Sequence, residues 1–223
     1  LGPFDIIEPI GEGGMGTVWR AVHRTQKVSA AVKFVLQQTD TTDKLLERFA
    51  DEVRAVAGLD HPGIVSVFDY GMVSQECEAS TDGRVKADTP WLAMELITGG
   101  TIKAHPPKNW PELHDHLTAM LSALASAHAR GILHRDLKPD NVLLSAPGDL
   151  RQGLRLVDFG LAFLDGADHS SEQRAAGTPR YMAPEQLLSN WRDYGPWTDL
   201  YALGCLAWQM ATGATPFHGM KQF

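Results

Sequence analysis

"GEGGMGTVWRA" occupies residues 11–21 of this 223-residue chain, and the reading of this stretch decides the fold. Four glycines in six residues let backbone approach a ligand that a Cβ would hold away. The spacing Gly11-x-Gly13-x-x-Gly16 alone fits either a plain hairpin turn or a phosphate-covering loop. In a dinucleotide-binding fold such a loop opens a helix. Here Thr17-Val18-Trp19-Arg20-Ala21-Val22 follows, which reads as strand. A Walker loop would close on Gly-Lys-Ser/Thr, and Met15-Gly16-Thr17 does not supply it. The stretch is a strand–loop–strand hairpin.

Outward from this hairpin, the first part of the chain reads mostly as strand. Phe4–Ile10 leads into the loop, and Ala30–Leu36, Ile64–Tyr70 and Trp91–Ile97 are further apolar runs. One helix interrupts them from Asp43 to Leu59, with Leu45, Leu46, Phe49, Val53 and Val56 on one stripe. At about 100° per residue, Glu52 lies beside that stripe and Glu47 opposite it, so only Glu52 can face inward. Residues 74–90 are polar and mixed in charge, and are expected to form a mobile loop. From Pro111 the pattern becomes helical, with Leu113, Leu117, Met120, Leu121 and Leu124 as a second stripe ending near Gly131. Tyr201–Met210 is apolar on almost every side and reads as a buried helix. Strands followed by helices predict an α+β, bilobal protein, with lobes 1–97 and 98–223 joined near Glu95–Gly100.

Bulk properties narrow the function. The net charge of -7 makes a poor partner for nucleic acid or anionic membrane. The longest apolar run falls far short of the ~20 residues a membrane helix needs. Cys77 and Cys205 have no metal-ligand spacing, and no signal-peptide pattern opens the chain, so a reducing cytoplasm is the expected compartment. His114 and His116 would point to different sides of a helix, which argues against a histidine metal site.

Five further features stand in one order downstream of the hairpin. Ala31-Val32-Lys33 lies 17 residues beyond Gly16. "HRDLKPDN" spans 134–141, "DFG" 158–160 and "GTPRYMAPE" 177–185, and Asp199 opens the buried helix. With the glycine loop, these resemble the protein kinase family over nearly the whole chain. The Gly-Glu-Gly-Gly-Met-Gly loop is similar to that of the eukaryotic-like serine/threonine kinases of bacteria.

The resemblance implies a role for each position. Lys33 would place positive charge on the α- and β-phosphates of ATP, and Glu52 would hold it by an ion pair. Asn141 and Asp158 would hold Mg²⁺, with Mn²⁺ as an alternative ion. Asp136 would take or orient the proton of the attacking hydroxyl, and Lys138 would neutralise the transferring phosphoryl. His134 and Phe159 would form an apolar stack between lobes, and Asp199 would brace the catalytic loop. Adenine would lie between the lobes, against backbone groups of Glu95 and Ile97. Ile10, Val18 and Ala31 would roof it, Leu143 would floor it, and Met94 would limit its depth. Gly11, Gly13 and Gly16 would cover the phosphates.

Lys138-Pro139 and Thr178 resemble the serine/threonine branch, and Arg135 with Ala183-Pro184-Glu185 favours a protein substrate. A phosphate at Ser170 or Ser171 would pair with Arg135 and order the loop between Asp158 and Glu185. The chain stops at Phe223, where family members continue with helices that supply an arginine partner to Glu185. A truncated piece, a domain of a longer chain, or a member completed by another domain or subunit each fit this. Two functional classes follow: an active kinase, possessing every catalytic position, and a pseudokinase or partner-dependent scaffold.

Overall fold

The computed structural model describes residues 1–13, 16–35, 43–80, 85–159 and 179–216. Period-2 alternation in its strands builds two layers of core. Strands β1 (Phe4–Gly13), β2 (Gly16–His23), β3 (Ser29–Val35), β4 (Val67–Met72) and β5 (Pro90–Glu95) form one antiparallel sheet. Their order is β1-β2-β3-β5-β4. In β3, Ala30, Val32 and Phe34 pack outward with Phe4, Trp91 and Ala93. Ala31 and Val35 pack on the opposite face with Val53, Leu92 and Met94. Lys33 shares that inner face by parity, since successive strand residues alternate sides.

The helix α1 (Asp43–Ala57) brings Val53 onto the inner face and Val56 into the core that includes Leu59, Ile64 and Phe159. The side chains of Leu45, Leu46, Glu47 and Phe49 lie outside the described residues. The segment expected to be a mobile loop contains a short helix, α2 (Gln75–Ser80). Its Cys77, with Val85, is buried in the outer core, so two apolar side chains anchor a segment that is polar on average. The strand expected from Ile64 begins at Val67, because Ile64 instead bridges to Leu156.

The second half packs around α3 (Trp110–His128) and α5 (Pro196–Thr212). Asn109 starts α3 by accepting the Glu112 amide at 3.0 Å, while Glu112 accepts the Lys108 amide at 2.8 Å. Leu113, Met120 and Leu124 are buried as the stripe required, but Leu121 is 46% exposed at the stripe's edge. Helix α5 is buried along one face through Ala202, Leu203, Cys205 and Leu206, while Trp197, Leu200 and Trp208 are exposed. Its apolar circumference therefore does not correspond to burial all round among the described residues. A small hairpin of β6 (Val142–Leu144) and β7 (Leu154–Leu156) lies under the sheet, and Val65 donates to the Leu156 carbonyl at 3.0 Å. The short α4 (Pro184–Leu187) precedes α5.

The β1–β2 hairpin needs glycine at one point above all. Gly16 has φ +142°, and a Cβ there would run into the Phe34 carbonyl oxygen on the paired strand. Gly16→Ala is therefore expected to cost about 2 kcal/mol or more, by combined strain and backbone clash. Urea denaturation checks it, with Gly11→Ala as the comparison, since a Cβ at Gly11 meets nothing closer than Val18 at 3.8 Å.

Candidate active site

The segment 134–141 is shaped from three directions. Gly131 turns the chain at the end of α3 with φ +72°. Asp199, in the first turn of α5, then accepts the backbone amides of His134 and Arg135, each at 2.8 Å. Its carboxylate also contacts His128 Nε2 at 2.7 Å. Burial pushes the Asp199 carboxyl up, but these hydrogen bonds outweigh it and hold it below the usual carboxylate range. Gln186 of α4 donates to the Arg135 carbonyl at 2.7 Å and accepts the Ala183 amide at 3.1 Å. Arg135 itself sits at φ +65°, a strained conformation that these contacts enforce.

This frame presents Asp136. The carboxylate accepts from Lys138 Nζ at 2.5 Å and from Asn141 Nδ2 at 3.2 Å. Asn141 Nδ2 also donates to the Asp136 carbonyl at 2.8 Å, leaving the amide oxygen as its remaining group. Across the hairpin the Val157 amide donates to the Asn141 carbonyl at 3.1 Å, so Asp158 lies one residue from Asn141's partner. Asp158 has φ +63° and forms an ion pair with Lys33 at 2.7 Å, reaching from below the sheet to its inner face. The oxygen donors of Asn141 and Asp158 are hard ligands of the kind Mg²⁺ takes. Phe159 stacks on His134 with ring centroids 4.6 Å apart. Burial lowers the His134 pKa, and both ring nitrogens lack a hydrogen-bond partner among the described residues, as expected of an apolar stack.

Apolar residues expected around adenine pack on the inner face of the sheet. Ala31 and Met94 from the sheet are buried in one cluster, with Val18 and, from the hairpin, Leu143 packed against it. Ile10 lies apart from the cluster and is 47% exposed. Glu95 ends β5 and Ile97 follows it in the segment linking the two halves. Gly11 and Gly13 lie at the end of β1, with Gly13 paired to Gly16 across the turn.

The match to known proteins agrees with this arrangement. A family model described as "Protein kinase domain" matches residues 4–223. The chain belongs to the protein kinase family. It is 35% identical over 223 residues to the serine/threonine-protein kinase PknA of Mycobacterium tuberculosis, covering 98% of this chain and 48% of that protein. It is 37% identical over 222 residues to Pkn1 of Myxococcus xanthus, covering 97% and 30%. The match to PknL of M. tuberculosis is 36% over 216 residues, covering 94% and 49%. The chain thus spans about half the length of PknA.

One kinase contact expected from the sequence is absent. Glu52 does not reach Lys33, whose ammonium is held by Asp158 instead. Glu52 turns to Arg135, 3.7 Å away, and its second oxygen is buried with no hydrogen-bond partner among the described residues. Desolvation pushes the Glu52 carboxyl up to about 7, with Arg135 only partly opposing it. This arrangement is therefore favoured by acid. Its penalty is absent below the ordinary value of 4.5, grows as pH rises, and is complete above about 7. Relative to the native protein, Glu52→Gln is expected to gain roughly 1–2 kcal/mol between pH 4.5 and pH 8. Denaturation curves at the two pH values measure this.

Other kinase positions resolve differently. Glu185, expected to lack a partner in this chain, accepts the Thr198 hydroxyl at 2.6 Å. His128, Gln186 and Thr198 are structural members of the site that sequence reading passed over. The apolar stripe that ends near Gly131 placed His128 on a helix, but nothing in the pattern paired it with Asp199. Gly160, Ser170, Ser171 and Thr178 lie outside the described residues.

Proposed function

We propose that the domain is a serine/threonine protein kinase that transfers the γ-phosphoryl group of ATP to a hydroxyl on a protein. The observation that carries this reading is the convergence of Asp136, Lys138, Asn141, Asp158 and Lys33 on one place. The residues come from three separated stretches of sequence, and charged or polar contacts join Lys33 to Asp158, Lys138 to Asp136 and Asn141 to Asp136.

Asp136 orients the substrate hydroxyl and takes its proton on a carboxylate oxygen as the hydroxyl oxygen bonds to the γ-phosphorus. The bond from that phosphorus to the β–γ bridging oxygen breaks, and ADP leaves with the electron pair. Lys138 stays beside the moving phosphoryl and offsets its charge. Asn141 and Asp158 would hold the divalent ion, which neutralises phosphate charge and keeps the phosphates in line. Lys33 steadies the α- and β-phosphates, and Glu52 would steady Lys33 once it exchanges Arg135 for that partner. Adenine lies against the backbone of Glu95 and Ile97. Val18 and Ala31 are above it, Leu143 is below, Ile10 is at the rim and Met94 is at the back. Gly11, Gly13 and Gly16 cover the phosphates.

Residues 1–97 and 98–223 act as the two lobes. Among the described residues no helix is long and apolar enough to cross a membrane. A cytoplasmic site of action and further domains in the full protein complete the reading, together with autophosphorylation of the segment holding Ser170, Ser171 and Thr178. A second reading has one observation in its favour: with Glu52 on Arg135, the domain would await a partner that rotates α1. Phosphoryl transfer from labelled ATP–Mg²⁺ to a protein acceptor tests the first reading. Transfer that appears only with an added partner supports the second.

A further inference from the structure

Two residues of the segment that links the two halves, Glu95 and Thr98, are held by one small hairpin. At one end, the Glu95 side chain is 1% exposed, yet it is a carboxylate. It lies between two arginines of the β6–β7 hairpin. Arg151 grips it through Nε at 3.1 and 3.2 Å and through its terminal nitrogen, which also donates to the Ile64 carbonyl at 2.9 Å. Arg155, 1% exposed, stands 3.7 Å away and spends its other nitrogens on the carbonyls of Gln152 and Leu154.

Three residues on, Asp149 takes a second hold. It accepts the Thr98 amide at 2.9 Å and the Thr98 hydroxyl at 2.6 Å. The same carboxylate accepts the Ala146 amide at 2.8 Å, which closes the loop around it. Burial pushes the Asp149 carboxyl up, but the Thr98 and Ala146 hydrogen bonds outweigh it and hold it low, so it stays charged at neutral pH. Just past the second hold the linker runs against hairpin backbone. A Cβ on Gly99 would strike the Leu144 carbonyl oxygen and come within 2.7 Å of Ser145.

We propose that the loop between β6 and β7 is a clamp on the linker, and that Asp149 and Arg151 are positioning residues for recognition of the adenine base. The inference rests on the reading that adenine meets the backbone of Glu95 and Ile97. Those two groups fall between the Glu95 and Thr98 anchors, so the clamp decides their spacing and orientation. A pinned backbone edge accepts a base whose donors and acceptors match it and rejects one whose pattern is reversed. Adenine and guanine differ in this way along the edge they offer. A loosened linker adapts to either base and holds the right one less tightly, because it must be ordered on binding. The clamp therefore sets base selectivity, although no clamp residue touches the base. Removing Glu95 would strand the buried Arg155, so Asp149 and the exposed Thr98 are the informative positions.

The test is nucleotide binding to the full-length protein, with ATP–Mg²⁺ and GTP–Mg²⁺ titrated in parallel. Asp149→Ala is expected to weaken ATP roughly five- to tenfold and GTP by less than about twofold, shrinking the preference between them. Asp149→Asn, which keeps one acceptor, recovers part of the loss. Thr98→Val, which removes one of the two bonds on a surface residue, falls between wild type and Asp149→Ala. Unchanged ATP affinity in both Asp149→Ala and Thr98→Val overturns the proposal. So does an equal loss of ATP and GTP affinity, because that is general destabilisation. If wild-type protein binds no ATP, or shows no preference for it over GTP, the underlying reading of the site fails and the proposal falls with it.

Discussion

Asp136→Asn is expected to lower phosphoryl transfer by at least ~10²–10⁴-fold while leaving ATP affinity within about twofold. The asparagine has the same shape and still offers one oxygen to Lys138 or Asn141, which donate to Asp136 now. It cannot accept a proton from the incoming hydroxyl, because its second position is an NH₂ that points donors where an acceptor is needed. Asp136 is buried and its surroundings are fixed by the Asp199 and Gln186 braces, so no neighbouring carboxylate can swing in as a substitute. Steady-state rates with ATP binding measured in parallel separate loss of chemistry from loss of substrate. Asp136→Ala should be no faster, and it removes the carboxylate that Asn141 contacts at 3.2 Å while leaving the 2.8 Å bond from Asn141 to the residue-136 carbonyl.

Asp199→Ala is expected to affect stability and activity together. Three donors lose their acceptor at once: the amides of His134 and Arg135, and His128 Nε2. His134 is fully buried, so water cannot replace the lost partner at its amide. At about 1–3 kcal/mol for a buried donor left unmade, with partial relaxation, the cost is about 3–5 kcal/mol. Arg135 also loses one of the contacts that hold it at φ +65°, and Asp136 is the next residue. The catalytic rate should therefore fall even where enough folded protein remains to bind ATP. Because the Asp199 carboxyl is held below its ordinary value of 3.8, its contribution is present at neutral pH and is lost only as pH falls below that value. Asp199→Asn, retaining one acceptor, should lose less on both counts. Denaturant midpoints and single-turnover rates for the two variants supply the comparison.

The positions proposed to carry the chemistry were legible because they sit in short stretches with distinctive spacing. Lys33 follows from the apolar run around it, and Asp136, Asn141 and Asp158 from "HRDLKPDN" and "DFG". The strand after Gly16 was readable by composition, and by itself it excludes a helix-opening loop. What connects these stretches was not legible. His128 and Asp199 are 71 residues apart, Arg135 and Gln186 are 51, and Glu95 and Arg151 are 56. No local pattern encodes such pairs. Strands β6 and β7 are three residues each, too short for alternation to register.

Glu52 shows a different limit. Helix periodicity placed it correctly at the edge of the apolar stripe, but the choice between Lys33 and Arg135 depends on helix rotation. Periodicity has no information on rotation about the helix axis relative to a strand. The helix α2 was hidden for a third reason: Cys77 and Val85 are single buried residues in a segment whose average is polar.

The full-length protein is incubated with γ-labelled ATP and Mg²⁺ and an acceptor protein, and the labelled products are hydrolysed to phosphoamino acids. A serine/threonine kinase function predicts label on serine or threonine, abolished in Asp136→Asn and in Lys33→Ala. Label on neither residue, with ATP bound at the site and with partner proteins present, would contradict it.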